Sequence, residues 1–134
     1  MKEDPHPAIY CGDFTSEGVV LLAVIPQIAE TGAQLSSLHI LTRDRVSSDP
    51  QNYWLLQLGK ISAGKFQLLG VELPFPGGFP KNVAQEKVFL DPVLLQRGDK
   101  LTLRVTPRGA PPPLTGLSVI PEWGIISSRR SSRG

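Results

Sequence analysis

Cysteine occurs once, at Cys11, so no internal disulfide can hold this chain together, which fits assembly in a reducing compartment. Histidine is almost as scarce, with only His6 and His39. Four-ligand zinc sites need clustered Cys and His, and three such residues spread over positions 6, 11 and 39 do not supply one. No apolar run approaches the roughly 20 residues a membrane span needs. GVVLLAVIP is too short, and lies too far inside the chain, for a signal peptide, so a soluble, non-secreted protein is expected. Helical stretches between strands are missing too, which argues against an α/β fold. Gly77 and Gly78 lead into Phe79 and Pro80 rather than into a helix start with Lys-Ser or Lys-Thr, so no phosphate-cradling motif is present.

Charge of either sign is also short. The formal net charge of the 134 residues is +2, and Arg129, Arg130 and Arg133 alone supply more than that, leaving a body of about −1. Such a body is no nucleic-acid surface on charge grounds, and three tail arginines make a weak basic patch. Asparagine is confined to Asn52 and Asn82, and methionine to Met1. Few labile side chains together with proline-rich loops are features enriched in thermophile proteins.

Thirteen prolines, thirteen glycines and 40% hydrophobic residues describe one ordered domain with many stiff loops. Leu101, Leu103 and Val105 alternate with Lys100, Thr102, Arg104 and Thr106, the period of a strand with one buried face. Gly98 and Asp99 supply a tight turn before it, so residues 93–106 read as a β-hairpin. Residues 8–14 read as a short edge strand, with Gly12 and Asp13 marking a turn or bulge. The uninterrupted apolar run 19–25 fits a strand buried on both faces, or one that lies under a partner chain. Strands follow at 35–43, 53–61, 66–73, 87–95 and 114–120. The 53–61 strand sets Trp54, Leu56 and Leu58 against Tyr53, Leu55 and Gln57, and it forms a second hairpin with 66–73. RDRVSSDPQN reads as a polar loop, and PFPGGFPKN excludes helix and central strand. Residues 83–90 are the best helical rival. The expected fold is an all-β antiparallel β-sandwich or jelly roll of seven or eight strands over residues 8–126, with an extended N-terminal arm at 1–7 and a basic Ser/Arg tail at 127–134.

Reactive chemistry is thin. A Cys11–His nucleophilic pair is formally possible, but His6 sits in a proline-rich arm and His39 in a strand beside Leu38 and Ile40. Asp13, Glu72, Asp91 and Glu122 could be paired as glycosidase carboxylates, a signal any all-β protein offers. Arg97-Gly98-Asp99 spells an adhesion tripeptide, though Gly-Asp is what a turn requires. Exposed aromatics could stack on sugars, with Tyr53, Trp54, Phe75, Phe79 and Trp123 as candidates. Trp54 belongs to an apolar run, which leaves Phe75 and Phe79 as the surface aromatics. Rigid aromatics of this kind also anchor protein contacts. No enzyme, cofactor or metal is expected.

The segment LDPVLLQRGDKLTLRVTPRGAPPPLTGLSVIPEWGI, with YWLLQLGKI and FQLLGVEL upstream, resembles the small jelly-roll proteins of tailed-phage particles. Over residues 19–126 the pattern is most similar to the capsid decoration, or cementing, proteins of thermophilic long-tailed phages. The resemblance implies a virion structural protein, assembled in the host cytoplasm and carried on the capsid exterior. It implies a homotrimer that clamps the major capsid protein after head expansion. MKEDPHP and SSRRSSRG have little to bury alone and are expected to order against a partner. The contact residues expected on this basis are Lys2, Asp4, Pro5, Pro7, Phe75, Phe79, Arg129, Arg130 and Arg133. The alternative expectation is a carbohydrate- or receptor-binding jelly-roll module of a phage tail, fibre or surface protein.

Overall fold

Alternation of polarity in the sequence becomes alternation of burial in the computed structural model, which describes residues 8–27, 31–75 and 81–126. Eight strands form: β1 (Ile9–Phe14), β2 (Gly18–Val24), β3 (Ala33–Ser48), β4 (Tyr53–Ser62), β5 (Lys65–Phe75), β6 (Lys81–Leu95), β7 (Lys100–Arg108) and β8 (Leu114–Ile125). No helix occurs among the described residues. The N-terminal arm, the C-terminal tail and residues 76–80 lie outside them.

Two antiparallel four-stranded sheets stack face to face, in the orders β1-β8-β3-β6 and β2-β7-β4-β5. The pairing is nested. Around the tight β4–β5 hairpin, β3 pairs with β6, and β7 pairs with β2. Outermost, β1 pairs with β8. One long folded-over hairpin has thus been rolled into two layers, which is the jelly-roll topology. Further pairings, β3 with β8 and β4 with β7, close each sheet.

Between the sheets lies one apolar core. Leu35, Leu38 and Ile40 of β3 meet Trp54, Leu56 and Leu58 of β4, with Leu101, Leu103 and Val105 of β7 and Leu117 and Val119 of β8. Each such side chain contributes about 1.5–3 kcal/mol when fully removed from water. Trp54 also donates its indole N–H to the Pro112 carbonyl at 2.8 Å, which fastens the proline-rich loop to the core.

Several sequence expectations need correction. Residues 93–106 are no hairpin, because β6 and β7 belong to different sheets. The turn itself is real: Asp99 N donates to Gln96 O at 3.0 Å, and Gly98 takes a φ of +84°. Its outer groups bond elsewhere, Gly98 N to Ile25 O at 2.8 Å and Ile25 N to Asp99 O at 2.9 Å, so the chain passes across the sandwich instead of doubling back. A turn signal reports a reversal and is silent about which sheet receives the next strand.

The polar stretch after Arg43 continues β3 to Ser48, since Val46 is fully buried and pairs with Val83 beyond an irregularity. Residues 83–90 are strand, not helix, because β3 offers them a ladder. β2 is an edge strand whose outward residues are about half exposed, so it is not buried on both faces. Edge placement also lets β5 carry Pro74, which has no ladder N–H to give. β1 forms the expected edge strand, with register shifts on both sides of Gly12.

Candidate interaction surface

The outward face of the second sheet is assembled in rows by strand register. Val24, Lys100, Ile61 and Phe66 succeed one another across β2, β7, β4 and β5. The next row is Leu21, Thr102, Gly59 and Leu68, and the third is Val19, Arg104, Gln57 and Glu72. Two adjoining rows are therefore apolar apart from Lys100 and the Thr102 hydroxyl, while the third is polar apart from Val19. Val19, Leu21, Val24, Phe66 and Leu68 are 40–55% exposed.

Gly59 lies in the middle of this face for a steric reason. A Cβ there would stand 3.1 Å from a Phe66 ring carbon and 3.0 Å from the Thr102 hydroxyl, so the ring lies down across the glycine. Thr102 is buried, and its hydroxyl has no hydrogen-bond partner. The polar row is internally satisfied: Arg104 Nε donates to Glu17 at 2.7 Å and Gln57 to Glu72 at 2.9 Å. An apolar centre bordered by polar side chains is the anatomy of a protein interface.

The outer face of the first sheet is of a different character. Phe89 and Tyr10 are its most exposed aromatics, at 77% and 68%. Lys87 holds its ammonium 5.3 Å from the Phe89 ring centre and 3.3 Å from Glu122, and Glu122 also accepts from the Ser37 hydroxyl. His39 and Gln85 bond each other at 2.9 Å. Polar groups there are paired and the apolar ones are scattered.

Of the expected contact residues, Lys2, Asp4, Pro5, Pro7, Phe79, Arg129, Arg130 and Arg133 lie outside the described residues. Phe75 does not belong to the surface. It is fully buried, paired in register with Trp54, and part of the core. The inward alternation of Val71 and Leu73 simply extends to Phe75 before the proline-rich loop begins. Continuing that alternation two residues further in the sequence would have found it.

Of the residues considered for catalysis, His6 lies outside the described residues. Cys11 packs against the core, and burial pushes its thiol up to about 11, so it is a neutral, poor nucleophile near pH 7. His39 faces outward on the first sheet beside Gln85. Glu72 lies on the outer face of the second sheet with Gln57, whereas Glu122 lies on the opposite face of the molecule with Lys87. Among the described residues no three of His, Cys, Asp and Glu gather as a metal site. The Asp99 of the adhesion tripeptide is 2% exposed and bonded to Lys60 and to the Gln96 amide, so it is not presented to a receptor.

No family model matches this chain, and neither a curated protein nor a solved structure does.

Proposed function

We propose that this protein works by binding other protein subunits, as a decoration protein that sits on the outer surface of a major capsid lattice and stabilises the head. The observation that carries the reading is the apolar outer face of the second sheet, where Val19, Leu21, Val24, Phe66 and Leu68 stand in adjoining rows. Burying such a face contributes roughly 25 cal/mol for each Å² removed from water. The ordering and docking costs of association consume a large part of that gain. The resemblance of residues 19–126 to phage decoration proteins points to a capsid lattice as the partner, and a jelly-roll body agrees with that reading. Arms at 1–7 and 127–134 would add linked contacts to neighbouring capsomers, and linkage raises avidity through effective concentration.

The test is co-sedimentation of the purified protein with expanded shells of its major capsid protein, followed by thermal unfolding of those shells. Binding with a raised shell melting temperature is expected. Protein left in the supernatant, with shell melting unchanged, overturns the reading.

A second reading rests on Phe89, whose exposed ring stands among Lys87, Glu122 and Ser37 on the first sheet. An aromatic platform edged by polar groups is the chemistry that recognises a sugar ring. Glycan binding lost on Phe89→Ala supports it, and a glycan screen without hits removes it.

A further inference from the structure

Four strands lie at sheet edges: β1 and β6 in one sheet, β2 and β5 in the other. Open edges present unpaired N–H and C=O groups to any passing strand, and proteins guard them with charge, proline or bulges. Three of these edges are guarded. β1 carries Asp13 and two register shifts around Gly12. β5 carries Glu72 and Pro74, and β6 carries Glu86, Lys87, Asp91 and Pro92. β2 reads GVVLLAV, with neither charge nor proline. A single register shift between Leu21 and Ala23 leaves Gly18–Leu21 as a regular ladder. Among the described residues no strand pairs with the free side of β2.

We infer that β2 is a dimerisation edge, and that its occupant is the β2 of a second copy of this chain, paired antiparallel about a twofold axis. Every other edge is guarded, so this is the one strand addition between copies in which neither strand opposes it. An isologous contact must be self-complementary, and this one is. With the axis through Val20, Val19 of one copy stands across from Leu21 of the other on the outer face, apolar against apolar. No charge lies on either strand. Glu17, just before β2, is paired with Arg104 of its own chain, so it leaves no unmatched charge at the seam. The two four-stranded sheets join into one of eight strands, and their apolar outer rows become continuous. The product is a dimer, in place of the trimer that the resemblance implies. Its formation requires no shell, so it stands or falls separately from the capsid reading.

Solution mass across a concentration series, by light scattering and sedimentation equilibrium, tests the pairing on the full chain. The wild type is expected as a dimer in the micromolar range. Val19→Lys/Leu21→Lys, which places the missing guard on outward positions, is expected to be monomeric with an unchanged circular dichroism spectrum. Amide exchange within 18–21 is expected to slow as wild-type concentration rises. A wild-type monomer at 100-fold higher concentration, a trimer, or a dimer that persists in the doubly substituted protein overturns the inference. If the variant does not fold, the wild-type mass and the concentration dependence of exchange at 18–21 still decide.

Discussion

The Lys60 ammonium lies 3.3 Å from the Asp99 carboxylate, joining an interior strand of the second sheet to the turn through which the chain leaves the first. Both groups are largely withdrawn from water, Asp99 at 2% and Lys60 at 17% exposure. The carboxylate also accepts the Gln96 amide at 2.9 Å and so closes the turn it belongs to. One side chain thus fixes the turn and ties it to the opposite layer, where β7 must begin.

Acid should weaken this link in a defined direction. Burial alone would raise the Asp99 carboxyl, but hydrogen bonds from the Gln96 amide and the Ser62 hydroxyl, together with Lys60, outweigh it and hold the group below the usual carboxylate range. A depressed folded pKa contributes stability that is present above the unfolded value of about 3.9 and lost as pH falls through the folded one. Asp99→Asn is expected to cost about 2–3 kcal/mol at pH 7, where it leaves Lys60 without its partner. Urea unfolding at pH 7 and pH 3 checks this: the gap between wild type and variant should narrow in acid.

Trp54→Ala should be among the most damaging single changes, at about 3–5 kcal/mol, because it empties a fully buried site and frees the Pro112 carbonyl. Denaturant unfolding followed by circular dichroism measures the loss. Proteolysis should then find the 109–113 loop first, since its anchor is gone.

Gly109 has a φ of +75°, and a Cβ there would stand 2.0 Å from the Gln51 carbonyl oxygen. Gly109→Ala therefore separates the proline-rich loop from the 49–52 turn, where Ala110 N donates to the Asn52 side chain at 2.9 Å. The expected loss is about 2 kcal/mol or more, read as a lower thermal midpoint. Wild-type stability in this variant would mean that the two loops are not held together.

Leu68→Lys combined with Phe66→Ser alters the outer face without entering the core. Stability should move by only about 1 kcal/mol. If this outer face is the proposed shell contact, shell binding should fall at least tenfold, because charge and lost apolar area both oppose burial there. Affinity for shells measured by co-sedimentation reports the effect.

The strands were legible because alternation is a local property: Leu101, Leu103 and Val105 face inward as their spacing requires. Trp54 was legible as core for the same reason. The nesting of β1 with β8 and β3 with β6 was not, since strands far apart in the chain pair by mutual burial, which no window of sequence records. Residues 93–106 illustrate the limit, as a sound turn signal there connects two sheets. The outer face was legible only in part. Val19, Leu21 and Val24 stand out as an apolar run, but their exposure follows from β2 being an edge. Phe66 and Leu68 join them through β4 and β7, a neighbourhood that only the sheet order creates.

Hydrogen–deuterium exchange of the protein alone and bound to expanded capsid shells tests the proposed working surface most directly. Slowed exchange over 65–69 in the bound state, at equal protein concentration so that pairing through 18–21 is the same in both samples, with β6 unchanged around Phe89, is the expected result. Protection confined to the outer face of the first sheet, with 65–69 exchanging as in the free protein, would contradict it.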